Sequence, residues 1–237
     1  MGKIKNLLFI FAFISIVGWG PFSFLSSASS NSSTDLVTGS SEWVTKETSA
    51  IHSQVGNISP EAIKAGLTAY QKAREQGLDN KQILTIIDYS KSSRDRRLVV
   101  YDMRNQKVLF NTWVAHGKNS GGENATSFSN DRQSLKSSLG VFVTSEVHDG
   151  KHGEALRVQG LEPGINDNAY RRDIEFHSAY YVGEDVAKSR GMLGRSWGCM
   201  AVDPHTIKPL INTIKGKTIV VAYYPDKNWL RNSSYLT

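Results

Sequence analysis

The feature that most constrains the fold is a succession of short apolar runs, separated by turn-forming residues, between positions 82 and 224. Runs of this length, rich in β-branched and aromatic residues, are typical of strands. The predicted strands are 83–89, 97–102, 108–114, 140–146, 155–160, 173–178 and 217–224, and the predicted short helices are 184–189 and 203–216. The pattern predicts one mainly β domain with short helices (α+β), sandwich-like or barrel-like, over residues 81–226.

The first 28 residues have the pattern of an export signal. Lys3 and Lys5 precede an apolar run over 7–17, and small residues end the segment at Ala28. The apolar run is short compared with the roughly 20 residues of a membrane span. We therefore predict an exported protein of the periplasm, the cell envelope or the medium, with an uncleaved anchor as the alternative.

The remaining segments are assigned from composition and capping residues. Residues 29–57 are rich in serine, threonine, asparagine and glycine, which predicts a flexible linker. Residues 58–80 predict a helical segment, with Ser59 as N-cap and Pro60 in the first turn. Residues 227–237 are expected to form a C-terminal tail.

The charge pattern argues against a nucleic-acid partner. Without residues 1–28 the chain keeps 26 basic and 22 acidic residues, a net charge of +4. The basic residues are scattered, whereas nucleic-acid binding uses a basic face, often with aromatic residues among the cations. A mild positive charge is compatible with association with an anionic cell envelope.

Cys199, the only cysteine, is the candidate nucleophile. One cysteine cannot form an internal disulfide, and it cannot supply the two to four thiolates that are usual in a thiolate zinc site. A single thiol retained in an oxidising compartment favours a function over simple packing. Gly198 permits a sharp bend that aims backbone N–H groups at an oxyanion. The alternative is that Cys199 is a small buried core residue.

His177, 22 residues upstream, is the candidate base. The period of two in a strand places Ile174 and Phe176 on one face, with Glu175 and His177 on the other. We expect His177 to point toward a groove or solvent, where its imidazole can take the thiol proton of Cys199. An ordinary surface histidine is the alternative.

These residues resemble a known family. Ser196-Trp197-Gly198-Cys199 resembles the Ser-x-Gly-Cys signature of YkuD-type L,D-transpeptidase catalytic domains, and His177 resembles the histidine that precedes it. The run 138–142 resembles the family's Thr-Pro-x-Gly-x-Phe element, and His116-Gly117 lies where a strand-end glycine is expected before that element. The resemblance covers residues 82–225 and is greatest to the murein L,D-transpeptidase catalytic domain family. It implies a YkuD-like fold.

The resemblance also implies an activity. Such enzymes cleave the amide between the third and fourth residues of a peptidoglycan stem, release D-alanine, and pass the acyl group from a cysteine thioester to an acceptor amine. Cys199 would be the nucleophile, His177 the general base, and the Ser178 carbonyl its orienter. Backbone N–H groups of Trp197, Gly198 and Cys199 would form the oxyanion hole. Donor and acceptor stem peptides are the implied partners, and we expect no cofactor or metal.

One departure from the family pattern lies after the cysteine. The family commonly has an arginine there, where this chain has Ala201. Arg195 is the residue we expect to replace it, with Ser196 and Trp197 beside it in substrate binding. His116 opens the long loop 116–138 and either lines the substrate groove or is idle.

Other charged residues receive less specific predictions. His148, Asp149 and His152 resemble metal ligands, but they lie in a glycine-containing turn, so we expect no zinc site there. We expect Arg171 and Arg172 to be two solvated positive charges, and contact with stem-peptide carboxylates is the alternative.

Two rivals to the transpeptidase remain open. With water as the acceptor, the same fold would be an L,D-carboxypeptidase, a hydrolase. The second rival is not an enzyme: the chain would be a non-catalytic module that binds the cell envelope. For either enzyme we expect the Cys199 thiol to titrate below the roughly 8.5 of a free thiol.

Overall fold

The computed structural model describes residues 38–237, and its main element is one mixed eight-stranded sheet. The strands are β1 (Ile83–Asp88), β2 (Leu98–Asp102), β3 (Lys107–Thr112), β4 (Gly140–Gly150), β5 (Gly153–Gly160), β6 (Glu175–Ser178), β7 (Met200–Val202) and β8 (Ile219–Tyr223). The helices are α1 (Ser41–Val55), α2 (Pro60–Glu75), α3 (Glu184–Arg190), α4 (Pro204–Ile214) and α5 (Lys227–Asn232). The predicted mainly β fold with short helices is confirmed.

The export signal predicted for residues 1–28 lies outside the described residues, as does the beginning of the predicted linker. Within residues 38–237, no helix has both the length and the apolar character that crossing a membrane requires.

The sheet has the strand order β3-β2-β1-β8-β4-β5-β6-β7. Its parallel pairs are β1 with β8 and β6 with β7, and the other neighbours are antiparallel. Every residue of β1 and β8 is buried. A strand buried on both faces appears in the sequence as a continuous apolar run, as in Ile83–Asp88, rather than as an alternation.

The two edges of the sheet meet through the segment 115–118, which follows β3. The Ala115 N–H donates to the Ala201 carbonyl of β7 at 2.9 Å. The Ser196 N–H donates to the His116 carbonyl at 3.0 Å, and the Lys118 N–H donates to the Ser196 carbonyl at 2.7 Å. The sheet is therefore barrel-like, and Cys199 lies where its edges meet.

The helix predicted from Ser59 and Pro60 is present as α2. The Ser59 hydroxyl accepts from the Ala62 N–H at 3.3 Å and donates to Asp88 at 2.7 Å. The same cap therefore starts the helix and ties it to the end of β1. The buried face of α2 includes Leu67 and packs against β1 and β8.

The flexible linker predicted over residues 29–57 is wrong for α1, which occupies Ser41–Val55. Ser40 caps the first turn, and Gly56 ends the helix in the left-handed conformation with φ of 59°. The helix buries about one residue per turn: Val44, Glu47 and Ile51. Because so few positions are buried, the polar composition of the segment concealed the helix.

The predicted C-terminal tail, residues 227–237, is packed against the domain and begins with α5. Trp229 is 1% exposed, and its indole N–H donates to the buried Glu162 carboxylate at 3.2 Å. Glu162 also accepts from the Val141 N–H at 2.7 Å and from the Ser233 hydroxyl. Burial raises the pKa of Glu162, and these donors offset part of the cost of burying the carboxylate.

Removing the Trp229 side chain should destabilise the whole domain. We expect Trp229→Ala to lower the free energy of unfolding by about 3–5 kcal/mol, because the indole is fully buried. Chemical denaturation measures this quantity. Leu230→Ala is the control, because Leu230 is 36% exposed and should cost much less. Equal stability of the two variants would contradict the packed C-terminus.

Candidate active site

Cys199 lies at the end of a tight turn, here called the cysteine loop (residues 196–199). The Ser196 hydroxyl donates to the Cys199 carbonyl at 2.7 Å and accepts from the Gly198 N–H at 3.1 Å. Ser196 is 3% exposed, so the structure places its side chain inside the loop. The Cys199 side chain is half-buried, and its thiol donates to the Asp173 carbonyl at 3.4 Å.

Gly198 gives the cysteine loop its shape. Its φ is 123°, and a Cβ atom there would lie 2.7 Å from the Lys136 carbonyl oxygen, so a larger residue would strain the loop. Its N–H is bound to Ser196, whereas the N–H groups of Trp197 and Cys199 donate to no acceptor within residues 38–237. Trp197 and Cys199 therefore offer the two open candidate donors, and a contribution of the Gly198 N–H to an oxyanion hole stays a prediction.

The strand pair β6–β7 brings the cysteine loop next to the strand that carries His177. In this parallel pair Phe176 lies opposite Met200 and His177 lies opposite Ala201. Cys199 directly precedes β7, so this pairing brings the cysteine loop to the end of the strand that carries His177. β7 has only three residues and was not predicted from the sequence, yet its pairing with β6 joins the segments that carry the two candidate catalytic residues.

His177 is less exposed than its strand pattern predicts. Phe176 is buried on the opposite face, as expected, but His177 is itself only 6% exposed. The ring of His152, from the β4–β5 hairpin, stacks on it with 5.1 Å between centroids. The expectation that His177 faces an open groove or solvent is therefore wrong, because a distant hairpin covers it.

The Ser178 carbonyl determines the tautomer of His177. His177 Nδ1 lies 2.8 Å from this oxygen, which can only accept a hydrogen bond. Nδ1 therefore carries the proton, and Nε2 keeps a lone pair that can accept one.

Burial keeps both members of the pair uncharged. Burial lowers the pKa of His177 below its usual value. Burial, together with the nearby negative charge of Glu175, raises the pKa of the Cys199 thiol to about 12. At neutral pH the pair is a thiol and a neutral imidazole. The expectation of a thiol pKa below about 8.5 is wrong for this structure, because the environment disfavours the thiolate.

His116 lies beneath the cysteine loop and not in a substrate groove. It is 1% exposed, and its Nδ1 accepts from Arg97 Nη2 at 2.8 Å. Burial, followed by the positive charge of Arg97, lowers the pKa of His116 to about 4, so the ring is neutral at pH 7. Its carbonyl accepts from the Ser196 N–H, so His116 supports the cysteine loop through its main chain.

Arg195 and Trp197 lie on the outside of the cysteine loop. Arg195 Nη1 donates to the carbonyls of Lys118 and Gly121 at 3.3 and 3.1 Å. Arg195 thus ties the cysteine loop to the turn at 118–121. The Trp197 side chain is 73% exposed, an unusual position for a large aromatic residue, and it borders the cavity described below.

Sequence reasoning missed Arg97, a fully buried arginine under the site. Its guanidinium donates to the Val114 carbonyl at 3.0 and 3.1 Å and to the Lys91 carbonyl at 2.9 Å, and it lies 5.2 Å from the centre of the Tyr89 ring. Burial lowers the pKa of Arg97 to about 10, so it is charged at neutral pH. In the sequence it ends a run of charged residues, which resembles an exposed turn. The only signal was its position beside the apolar residues of β2.

The histidines of the β4–β5 hairpin have separate partners. His148 Nε2 lies 2.7 Å from Glu175, whereas His152 stacks on His177. Among residues 38–237 no group of three or more histidine, cysteine, aspartate or glutamate side chains is arranged to hold a metal ion.

Comparison with known families bears on this site. A family profile described as the L,D-transpeptidase catalytic domain matches residues 54–223, which is more than half of the chain and includes Cys199 and His177. The chain belongs to this family. The resemblance noted in the sequence is thus confirmed, and membership of this family supports an enzyme. No relative matches among curated proteins.

Two solved L,D-transpeptidase structures are similar to the chain only at a distance. One, the Ldtfm–avibactam carbamoyl enzyme, is 14% identical over 56% of this chain and 47% of that chain, with a TM-score of 0.33. The other, an L,D-transpeptidase from Mycobacterium smegmatis, is 13% identical over 61% of this chain and 68% of that chain, also with a TM-score of 0.33. The chain spans about half the length of the first.

The pKa of Cys199 predicts how the thiol responds to pH. Alkylation by iodoacetamide requires the thiolate, so its rate in the folded chain should rise about tenfold per pH unit without a plateau below pH ~9. The urea-unfolded chain is the control, because the same cysteine should then level off near its ordinary pKa of about 8.5. A plateau at or below pH ~8.5 in the folded chain would contradict the neutral thiol.

Replacing Arg97 should weaken the fold beneath the cysteine loop. Arg97→Met leaves two carbonyls and a ring nitrogen buried without donors, so we expect unfolding to become easier by about 3 kcal/mol or more. Arg96→Met is the matched control, because that side chain is 48% exposed and should change stability by less than about 1 kcal/mol. Denaturation curves compare the two variants, and equal curves would contradict a supporting role for Arg97.

Proposed function

We propose that the protein is an exported cysteine L,D-transpeptidase that acts on peptidoglycan stem peptides through a thioester on Cys199, with His177 as general base. One observation carries the proposal. In an L,D-transpeptidase domain, Cys199 directly precedes the strand that pairs with the strand of His177, and the imidazole Nδ1–H of His177 is held by the Ser178 carbonyl.

The first half of the reaction follows from these protonation states. Cys199 Sγ attacks the carbonyl carbon of the third stem residue while its proton moves to His177 Nε2. The oxyanion that forms accepts hydrogen bonds from the free N–H groups of Trp197 and Cys199. The amide C–N bond then breaks as His177 returns the proton to the departing amine. D-alanine is released, and the acyl group remains on Cys199 as a thioester.

The second half reverses these roles. An acceptor amine attacks the thioester carbonyl and gives a proton to His177 Nε2. The C–S bond breaks, and the proton returns to Cys199 as the thiol leaves. Because the resting pair is neutral, charge separation develops only during each attack, where the two N–H groups stabilise it.

The proposed location follows from residues 1–28 and from the substrate. The basic start, the apolar run and the small residues up to Ala28 support export. Peptidoglycan is found outside the cytoplasm, so export would bring the enzyme to its substrate and to the cell envelope.

Substitution of the two proposed catalytic residues tests the mechanism. With tetrapeptide muropeptides as substrate, Cys199→Ala should give no turnover and no thioester by intact-mass analysis. His177→Ala should lower the rate by about 10²- to 10⁴-fold, the usual contribution of a general base. His205→Ala, an exposed histidine on α4, is the control and should keep the parent rate.

The products identify the acceptor. Cross-linked dimers, seen by mass spectrometry, are expected of the transpeptidase, whereas tripeptides without dimers would indicate an L,D-carboxypeptidase. Product formation by Cys199→Ala equal to that of the parent would overturn the proposal. No turnover in the parent chain would favour a binding module.

A further inference from the structure

A cavity beside Cys199 has an unusual set of walls. Its volume is about 310 Å³, and its lining includes Arg132, Arg171, Arg172, Asp173 and Trp197. Three of these five side chains are arginines that come from two separate segments of the chain. Such convergence of cations at a concave surface indicates a site for an anion.

The cavity adjoins the nucleophile. Asp173 lines the cavity, and its carbonyl accepts the hydrogen bond from Cys199 Sγ at 3.4 Å. Arg172 Nη2 lies 3.3 Å from the point where a Cβ of Gly198 would be. A peptide bound across Cys199 can therefore extend into this cavity.

The positive charge of the cavity is only partly compensated. Asp131 lies near Arg172 and Asp167 lies near Arg171, but neither carboxylate forms an ion pair with these arginines. The one carboxylate in its lining, Asp173, forms an ion pair with Arg157 at 2.9 Å. Arg132 and Arg171 are exposed, and neither forms an ion pair with a residue of the described range 38–237. Both guanidinium groups are therefore available to a ligand.

Arg172 is the fixed part of the cavity. It donates to the carbonyls of Ser129 and Lys136, each at 2.6 Å, and to the hydroxyls of Ser138 and Ser134 at 2.5 and 3.2 Å. None of these four acceptors is charged, so the arginine keeps its positive charge while its position is held. The sequence-based view of Arg172 as half of a solvated pair is wrong, because the segment 129–138 surrounds it.

We propose that this cavity binds a carboxylate of the donor stem peptide and so positions the scissile amide over Cys199. The inference rests on the proposed function, since it assigns the substrate group that lies beside the nucleophile. Arg132 and Arg171 supply the planar, two-pronged donors that match a carboxylate. The exposed indole of Trp197 supplies an apolar surface for the neighbouring aliphatic part of the peptide.

Equilibrium binding to the full-length Cys199→Ala chain tests the site without turnover. The probes are a synthetic stem tetrapeptide and analogues in which each carboxylate in turn is a carboxamide, measured by isothermal titration calorimetry. Adding Arg132→Gln and Arg171→Gln together should weaken binding of the tetrapeptide about tenfold. For one amidated analogue, the double substitution should have no further effect, which identifies the carboxylate that is bound.

The control removes two positive charges elsewhere. Arg104→Gln with Lys107→Gln changes exposed residues at the β2–β3 turn and should leave tetrapeptide binding unchanged. The proposal is overturned if the arginine pair and the control pair have equal effects, or if every analogue loses the same affinity as the tetrapeptide when the arginine pair is substituted.

The two proposals fail in distinguishable ways. If Cys199 is not the nucleophile, the parent chain gives no thioester, yet arginine-dependent binding to Cys199→Ala persists. If the cavity binds no carboxylate, the parent chain still forms the thioester, and substitution of Arg132 and Arg171 leaves binding unchanged.

Discussion

The buried guanidinium of Arg97 is the interaction on which the candidate site depends. Its donors hold the His116 ring, in the segment 115–118 that closes the sheet, and the carbonyl of Val114 just before that segment. That segment in turn holds the Ser196 main chain, three residues before Cys199. A buried arginine bound to neutral acceptors is costly to desolvate. It is retained here at the junction between the fold and the loop that carries Cys199.

The state of the reactive pair is a consequence of this packing. The cysteine loop is closed by Ser196, its bend is formed by Gly198, and the His152 ring covers His177. Each contact removes solvent from Cys199 or His177, and low solvation favours the neutral thiol and the neutral imidazole. The site therefore resembles a neutral thiol–imidazole pair, in which charges separate only during the reaction. It does not resemble a resting thiolate–imidazolium pair. A resting thiol is also less easily oxidised than a thiolate.

The surroundings of Cys199 differ on its two sides. On one side the arginines of the cavity are positive, and Arg172 joins the segment 129–138 to the cysteine loop. On the other side Glu175 lies near Cys199, with one carboxylate oxygen 2.7 Å from His148 Nε2 of the β4–β5 hairpin. The cavity proposed to bind a carboxylate is therefore on the arginine side of Cys199.

The sequence by itself determined the local features of this protein. All the strands except β7, the Ser59 cap of α2, the cysteine signature and hence the family follow from patterns within a few neighbouring residues. The helix α1 and the packing of Trp229 were not predicted, because α1 and α5 each bury few side chains and lie in polar segments. Only the tertiary structure decided that Arg97, His116 and His177 are buried and that Cys199 is a neutral thiol. Burial and pKa depend on which distant segments pack together, and no local window of sequence contains that information.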